Sequence, residues 1–311
     1  MAVFWRIYNN KLMSAGEVDN LGFSVDNLSY IPDSYLMNKK FVIMRTCHGI
    51  GDWAIISAMP RLLKSKYKDC KVYVPSRRML KTIYGEMLQT WGYGVYDCTK
   101  VVEDVFLNNP YIDGQVDEVE GDIFHDHYRI YDKYNTKIPL LEQMLFFWQF
   151  KKNEILDSSP DIYFCEKEID FGNNLIKKYF KNNYGYMLLS STYGLTAKTE
   201  TLFKKVKSLG DNYPWFYYGE KDISDTEFNF LSNTVNVKEL DLSVRQQMYL
   251  KCKAKLNVGN ETGLNEWSSK YSPSYLLANE YYGPISNKPG KPRKDPWSSG
   301  NFVRTSKYMN I

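Results

Sequence analysis

The 311-residue sequence contains no long hydrophobic run. Its most apolar stretches are short, such as Met144–Phe150, whereas a membrane-spanning helix needs about 20 apolar residues. Together with a mean hydropathy of −0.47, this excludes a membrane-resident protein. The first twelve residues also lack the charged start and continuous apolar stretch of a secretory signal. We therefore expect a cytoplasmic protein without a transmembrane segment.

Cysteine is scarce, and charge of one sign is not in excess. The five cysteines form no CxxC pair and are odd in number, so we expect reduced thiols rather than a disulfide framework. The 40 Lys and Arg residues oppose 36 Asp and Glu residues, which leaves a formal net charge of +4. With 24% charged and 43% hydrophobic residues, this is a globular composition and not a disordered one. The small positive balance allows an anionic partner without requiring one.

Short apolar runs alternate with amphipathic segments along most of the chain. Residues 1–40 read as an extension of strands and turns, and Phe41–Arg45 reads as a strand buried on both faces. Apolar residues at helical spacing over 53–67 predict a helix that Pro60 kinks or restarts. A second strand over 71–74 completes a strand–helix–strand unit, which predicts a parallel sheet.

The remainder of the chain repeats this alternation. We predict further strands over 101–107, 186–190, 214–218 and 255–258, and helices over 139–150, 175–180, 202–209 and 244–253. The segment NNPYIDGQVDEV predicts a turn that leads into another strand, and Ser243 is the expected N-cap of the helix over 244–253. A linker near residue 155 then separates an α/β domain over 41–155 from a second one over 156–311, after the 1–40 extension.

Two glycine-containing turns follow predicted buried strands. The first contains Gly49 and Gly51 and ends in Asp52, whose carboxylate could take a proton from a substrate or cap the next helix. The second spans Gly259–Leu264, and its amides and the Thr262 hydroxyl could hold a diphosphate or form a plain turn. Because ligands of such sheets bind at the carboxyl ends of strands, both turns are candidate sites.

Three segments together resemble a known family. They are FVIMRTCHGIGDW, NNPYIDGQVDEV, and LSVRQQMYLKCKAKLNVGNETGLNEW followed by EYYGP. In order and spacing they are similar to the lipopolysaccharide heptosyltransferase-like family, glycosyltransferase family 9. The resemblance covers residues 41–285 in outline. It implies an α/β protein of the GT-B fold, in which two Rossmann-like domains face each other across a cleft.

The resemblance also implies roles for individual residues. Asp52 stands where the family has its catalytic base. Lys198 is the nearest match to a lysine that contacts phosphate, and Glu220 matches a glutamate that contacts the nucleotide ribose. The donor-binding turn of the family matches four residues here, which are Glu261, Thr262, Gly263 and Leu264.

The chain departs from the family pattern at several positions. Glu261 replaces the usual aspartate, Glu266 stands in place of a histidine, and Pro60 comes two residues later than the helix proline of the family. Four further residues are candidates because they stand in or beside the matching turns, and they are His48, Ser191, Thr192 and Glu266.

The implied activity is an inverting glycosyl transfer from a nucleotide-sugar donor to an acceptor hydroxyl, without metal or cofactor. The implied acceptor is a surface or lipid-linked glycan. The abundance of Lys, Asn and Tyr is typical of an AT-rich genome such as that of many viruses, and residues 288–294 are basic. The alternative is therefore a phage glycosyltransferase that acts on hydroxymethylated bases of DNA.

Two further alternatives stay open at this point. The replacements at positions 261 and 266 would also suit a non-catalytic protein that only binds a nucleotide sugar. His125 and His127, two residues apart, could bind a metal if they lie on a strand, but a polar surface segment is the expected reading.

Overall fold

A computed structural model describes most of the chain. The described residues are 5–8, 11–14, 40–45, 49–82, 97–118, 123–125, 141, 145, 150–181, 183–189, 204, 206–208, 214–219, 223–260 and 263–277. For residues 5–8, 11–14, 52, 123–125, 152, 260, 266, 276 and 277, the description is of the backbone only. The chain forms two compact units, Met1–Tyr163 and Phe164–Ile311. The sequence analysis placed the division at residue 155.

The first unit is built on a parallel four-stranded sheet. The strands of the whole unit are β1 (Trp5–Tyr8), β2 (Lys11–Ser14), β3 (Lys40–Ile43), β4 (Lys71–Pro75), β5 (Gly114–Val116) and β6 (Ile123–His125). Its helices are α1 (Ile50–Ala54), α2 (Met59–Lys66) and α3 (Val101–Phe106), with 3-10 turns at Cys98–Lys100 and Lys152–Glu154. The sheet order is β5-β4-β3-β6, while β1 and β2 form a separate antiparallel pair. The predicted parallel strand–helix–strand unit is confirmed.

The predicted effect of Pro60 is also confirmed. Helix α1 ends at Ala54, and α2 begins at Met59 with Pro60 in its first turn. The missing N–H of proline costs nothing there, because the first amides of a helix have no intrahelical acceptor. The helical segment therefore restarts instead of continuing through the proline.

The strand predicted over 101–107 is wrong, because this segment forms helix α3. Its residues Val101, Val102, Val105 and Phe106 are buried, and their spacing of one, three and one residues is that of a helix face. The two acidic residues between them, Glu103 and Asp104, lie in the first turn of the helix, where they are favourable. Valine enrichment suggested a strand, but burial of the helical face decides the structure.

The second unit contains a parallel five-stranded sheet. Its strands are β7 (Gly185–Leu189), β8 (Trp215–Gly219), β9 (Thr234–Asn236), β10 (Leu256–Asn260) and β11 (Ser274–Leu277). Its helices are α4 (Glu166–Tyr179), α5 (Val244–Lys253) and α6 (Gly263–Ser268), with 3-10 turns at Asp225–Phe228 and Val237–Leu240. The sheet order is β11-β10-β7-β8-β9. The strands predicted over 186–190, 214–218 and 255–258 are confirmed as β7, β8 and β10.

Two helix predictions in this unit have clear outcomes. Ser243 is the N-cap of α5, and its hydroxyl accepts a hydrogen bond from the amide of Gln246, as predicted. Helix α4 begins at Glu166, well before the predicted start at 175. Most of the predicted helices over 139–150 and 202–209 lies outside the described residues, but residues 141, 145, 204 and 206–208 are helical.

Apolar side chains cover both faces of β7, the central strand of this sheet. Met187 and Leu189 belong to one buried cluster, and Tyr186 and Leu188 belong to another. Since successive side chains of a strand point to opposite faces, these two clusters lie on opposite faces of the sheet. The second unit is thus a three-layer α/β structure, which confirms the α/β part of the predicted fold class. No helix among the described residues has the length and apolarity needed to cross a membrane.

Candidate functional site

Both sheets have a point at which the strand order reverses. In the first sheet β4 and β5 lie on one side of β3 and β6 lies on the other, so the reversal falls between β3 and β6. In the second sheet it falls between β7 and β10. Ligands of open α/β sheets bind outside the carboxyl ends of the strands at such points. Strands β3 and β10 lead into the two glycine turns that the sequence analysis selected, so topology supports both turns as candidate sites.

The first turn leads from β3 into α1. Gly49 is the N-cap of α1, and Gly51 and Asp52 are its second and third residues. Asp52 is therefore not the N-cap, which was one of the two roles that the sequence left open. Its backbone lies in the first helical turn after the reversal point of the sheet. This position is compatible with a base that acts at the carboxyl edge of β3.

Arg45 lies two residues beyond the end of β3 and is a residue that the sequence analysis did not select. Its side chain is fully buried. The guanidinium group of Arg45 therefore brings a positive charge into the interior of the first unit. This charge lies at the same end of β3 as the turn that carries Asp52.

The segment that precedes the second unit is fixed to helices α1 and α2. The Asp161 amide donates to the Ser57 hydroxyl at 2.8 Å, and that hydroxyl donates to the Ala54 carbonyl at 2.6 Å. The Arg61 guanidinium donates to the Asp161 carboxylate, with 2.8 Å between Nε and Oδ2. The Asp161 side chain is only 4% exposed, so this ion pair is largely desolvated. The region first read as a linker is therefore part of the packing that holds α1.

We predict that Arg61→Met destabilises the protein by about 2–3 kcal/mol, because it leaves the buried Asp161 carboxylate without its main counter-ion. Chemical denaturation measures this difference. Lys71→Met is the matched control, since Lys71 is 63% exposed where it pairs with Asp113. That control should change stability little. Equal effects of the two substitutions would contradict the importance of the Arg61–Asp161 pair.

The second turn leads from β10 into α6, which begins at Gly263. Gly259 of β10 pairs in register with Leu188 of β7, across the reversal point. A Cβ atom at position 259 would lie 2.0 Å from the Leu188 carbonyl oxygen and 2.5 Å from the Asn265 side-chain nitrogen. Glycine is thus required here because the backbone of β7 and the first turn of α6 both approach β10 closely.

A buried polar cluster joins the two elements that this turn connects. Lys251 of α5 is fully buried, and its Nζ donates to Asn265 Oδ1 at 2.5 Å and to Asn257 Oδ1 at 3.3 Å. The same Nζ lies 4.6 Å from the ring centre of Tyr186. Burial lowers the pKa of Lys251 to about 7. The cluster therefore contains an amine that changes charge near neutral pH.

Asn265 connects this cluster to the end of β7. Its Nδ2 donates to the Leu188 carbonyl at 3.2 Å, while its Oδ1 accepts from Lys251. The Asn257 side-chain amide in turn donates to the Lys251 backbone carbonyl at 3.0 Å. Helix α5, strand β7, strand β10 and helix α6 are in this way joined by a few buried hydrogen bonds at the candidate site.

Most of the predicted site residues lie outside the described residues. They are His48, Ser191, Thr192, Lys198, Glu220, Glu261 and Thr262, together with His127. Gly263 and Leu264 are the first residues of α6, and the backbone of Glu266 lies in the same helix. His125 is the last residue of β6. Gly263 and Leu264 thus come shortly after the carboxyl end of β10 in the chain.

The sequence analysis missed Lys251, Asn257 and Asn265. One signal could have revealed them. Strand β10 is buried on both faces, and Asn257 interrupts its apolar run between Leu256 and Val258. A polar side chain at such a position needs a buried partner, which is here supplied by Lys251.

Comparison with solved structures identifies the fold. The chain is similar to a family 9 glycosyl transferase from Veillonella parvula DSM 2008, with a TM-score of 0.55 and 10% identity over 88% of this chain and 87% of that one. It is also similar to an ADP-heptose lipopolysaccharide heptosyltransferase II of E. coli, with a TM-score of 0.44 and 13% identity over 88% and 90%. A dodecameric iron-containing glycosyltransferase of enterotoxigenic E. coli H10407 matches with a TM-score of 0.47 and 13% identity over 84% and 66%.

Comparison of the sequence alone gives no match. No protein-family model and no curated protein sequence matches the chain. The similarity to family 9 that the motifs suggested is confirmed at the level of the fold by the Veillonella structure.

Proposed function

We propose that this protein is a glycosyltransferase that moves a sugar from a nucleotide-sugar donor to an acceptor hydroxyl with inversion at the anomeric carbon. The observation that carries the proposal is the position of the two glycine turns. Each follows a strand at the reversal point of its sheet, in a fold shared with a family 9 glycosyl transferase. Fold alone does not determine activity, so the proposal rests on these turns.

The turn after β10 is the proposed donor site. Its backbone amides at Thr262, Gly263 and Leu264 can donate to the diphosphate, and Lys198 adds positive charge to it. Glu220 follows β8 directly and is the proposed ligand of the ribose. A diphosphate leaving group gains from such donors as its negative charge develops, so the reaction needs no metal and no other cofactor.

The turn after β3 is the proposed catalytic centre. Attack of a hydroxyl on the anomeric carbon releases a proton, and one carboxylate suffices to accept it. Asp52 is the proposed base. Its place in the first turn of α1, beyond the carboxyl end of β3, supports this role.

The proposed acceptor is a surface or lipid-linked glycan, as the resemblance implies. Hydroxymethylated DNA is the alternative, and the basic residues 288–294 that suggested it lie outside the described residues. Transfer assays with lipid-linked glycans and with hydroxymethylated duplex DNA distinguish the two acceptors. Salt-sensitive DNA binding would favour the second one.

A thermal-shift screen with nucleotide sugars tests the donor site directly. A donor that binds only the folded state should raise the melting temperature by roughly 5 °C at about 100-fold excess over its Kd. The same donors with chelator present should give the same shift if no metal takes part. Absence of a shift with every nucleotide sugar would contradict the proposal.

The screen also separates an enzyme from a non-catalytic binding protein. An enzyme should hydrolyse or transfer the donor that stabilises it, whereas a binding protein should be stabilised without turnover. The chromatographic assay of released nucleoside diphosphate makes this distinction.

A further inference from the structure

The buried amine of Lys251 has no place in the proposed reaction, yet it contacts Asn257 and Asn265, which lie before and after the proposed donor turn in the chain. Among the residues that the structure describes, three groups contact its Nζ, and all of them accept hydrogen bonds or attract cations. They are the side-chain oxygens of Asn265 and Asn257 and the ring of Tyr186. An ammonium group has three N–H bonds to donate, so this arrangement matches the protonated form.

The neutral amine fits the same surroundings less well. It has two N–H bonds for the two amide oxygens, and its lone pair then faces the electron-rich ring of Tyr186. Loss of the proton therefore removes a favourable contact and weakens the charge-assisted hydrogen bond to Asn265. Asn265 is the residue that fixes the first turn of α6 to the Leu188 carbonyl of β7.

Few other groups near Lys251 can change charge in the neutral range. From β7, Tyr186 faces the amine, and burial raises the pKa of its phenol far above neutrality. From α5 itself, burial raises the pKa of the Cys252 thiol to about 12. The described contacts from β10 and α6 are the neutral amides of Asn257 and Asn265. The acidic residue of α6 is Glu266, which the experiment below treats separately.

We infer that Lys251 is a positioning residue whose protonated form holds Asn265, and with it the start of α6 against β7, in the place that the proposed diphosphate site requires. The inference rests on the proposed function for the identity of the ligand. The positive charge of Lys251 also favours an anion at this site, and by linkage a bound diphosphate favours protonation of Lys251. Donor affinity should therefore fall as the pH rises past neutrality.

Two measurements on the full chain test this inference, and the first needs no ligand. Hydrogen–deuterium exchange over residues 256–268, corrected for intrinsic rates, is compared at about pH 6 and about pH 8.5, on either side of the Lys251 pKa of about 7. Exchange should become faster at the higher pH in the wild type and be independent of pH in Lys251→Met. A purely structural role would instead change exchange in the variant equally at both values.

The second measurement is the affinity for ADP, GDP and UDP at the same two pH values. For the nucleotide that binds, the wild-type affinity should be on the order of tenfold lower at the higher pH than at the lower pH, after the change seen in Lys251→Met is subtracted. Lys253→Met is the matched control, because Lys253 lies on the same helix and is exposed. It should behave as the wild type does. Glu266→Gln should also keep the wild-type pH dependence, which excludes Glu266 as the titrating group.

The outcomes separate this inference from the proposed function. Binding of a nucleotide with the same pH dependence in the wild type and in Lys251→Met would overturn the inference and leave the proposed function intact. A pH-dependent exchange that Lys251→Met abolishes, with no nucleotide bound, would support the role of Lys251 in fixing the turn and contradict the diphosphate as its ligand. Exchange that is the same at both pH values in the wild type would overturn the inference without reference to any ligand.

Discussion

Asp52→Asn should reduce the rate of sugar transfer about 10³-fold while the protein still binds its donor. The amide has the size of the carboxylate but cannot accept the proton of the attacking hydroxyl, and general-base catalysis contributes about 10²–10⁴-fold. The loss should appear in kcat, because the base acts in the transition state and contributes little to donor binding. Single-turnover transfer assays measure the rate, and the thermal shift with donor measures binding.

The folded state of this variant can be verified independently. Asp52 is not the N-cap of α1, so its substitution should leave that helix in place. Asp113→Asn is a useful comparison, since Asp113 comes directly before β5 and its carboxylate accepts hydrogen bonds from Lys64, Lys71 and the Val72 amide. That variant should lose some stability and keep its turnover. Transfer by Asp52→Asn within about tenfold of the wild-type rate would contradict the assignment of the base.

The amino-acid pattern predicts the central strands of both sheets well. Strands β3, β7 and β10 are short, mostly apolar runs that are buried on both faces, and this pattern is typical of a strand inside a parallel sheet. Pro60 and Ser243 mark helix starts through backbone chemistry that acts within three or four residues. Signals of this kind do not depend on the rest of the fold.

Elements whose identity depends on tertiary packing are predicted poorly. Val101–Phe106 contains three valines, which favour a strand, but it becomes a helix because its buried face has helical spacing. Helix α4 starts at Glu166 with a capping box in which the Cys165 amide donates to Glu168 Oε2, and the same carboxylate makes a contact distant in sequence. Glu168 near that start accepts two hydrogen bonds from Arg245 of α5, which lies beyond three intervening strands.

The candidate site shows the same division. The glycine turns are local motifs, so their place at the ends of β3 and β10 follows from the sequence. The Lys251–Asn265 contact joins residues from two helices that β10 separates in the sequence, and no local pattern predicts it. Lysine in an amphipathic helix is ordinarily expected to face solvent, and only the packing of α5 on β7 and β10 places this one inside.

Gly259→Ala should destabilise the second unit by about 3 kcal/mol or more, because the added methyl group has no room. Its Cβ would lie 2.0 Å from the Leu188 carbonyl oxygen, which is part of the β7–β10 ladder and cannot move away by rotation of a side chain. The substitution should therefore separate β10 from β7 at the reversal point. Chemical denaturation and a loss of exchange protection in residues 256–260 measure the effect.

A second variant identifies which clash matters. The Asn265 side chain also lies 2.5 Å from the added Cβ, so Gly259→Ala combined with Asn265→Ala removes one of the two clashes. Because the Leu188 carbonyl remains, this double variant should be no more stable than Gly259→Ala. Gly114→Ala is the matched control, since Gly114 is the first residue of β5. The nearest atom to a Cβ added there is a Tyr73 ring carbon at 3.4 Å. It should be nearly neutral, because reduced freedom of the unfolded chain offsets a small adjustment of the ring. Full recovery in the double variant would show instead that the side chain of Asn265, and not the backbone of β7, requires glycine at position 259.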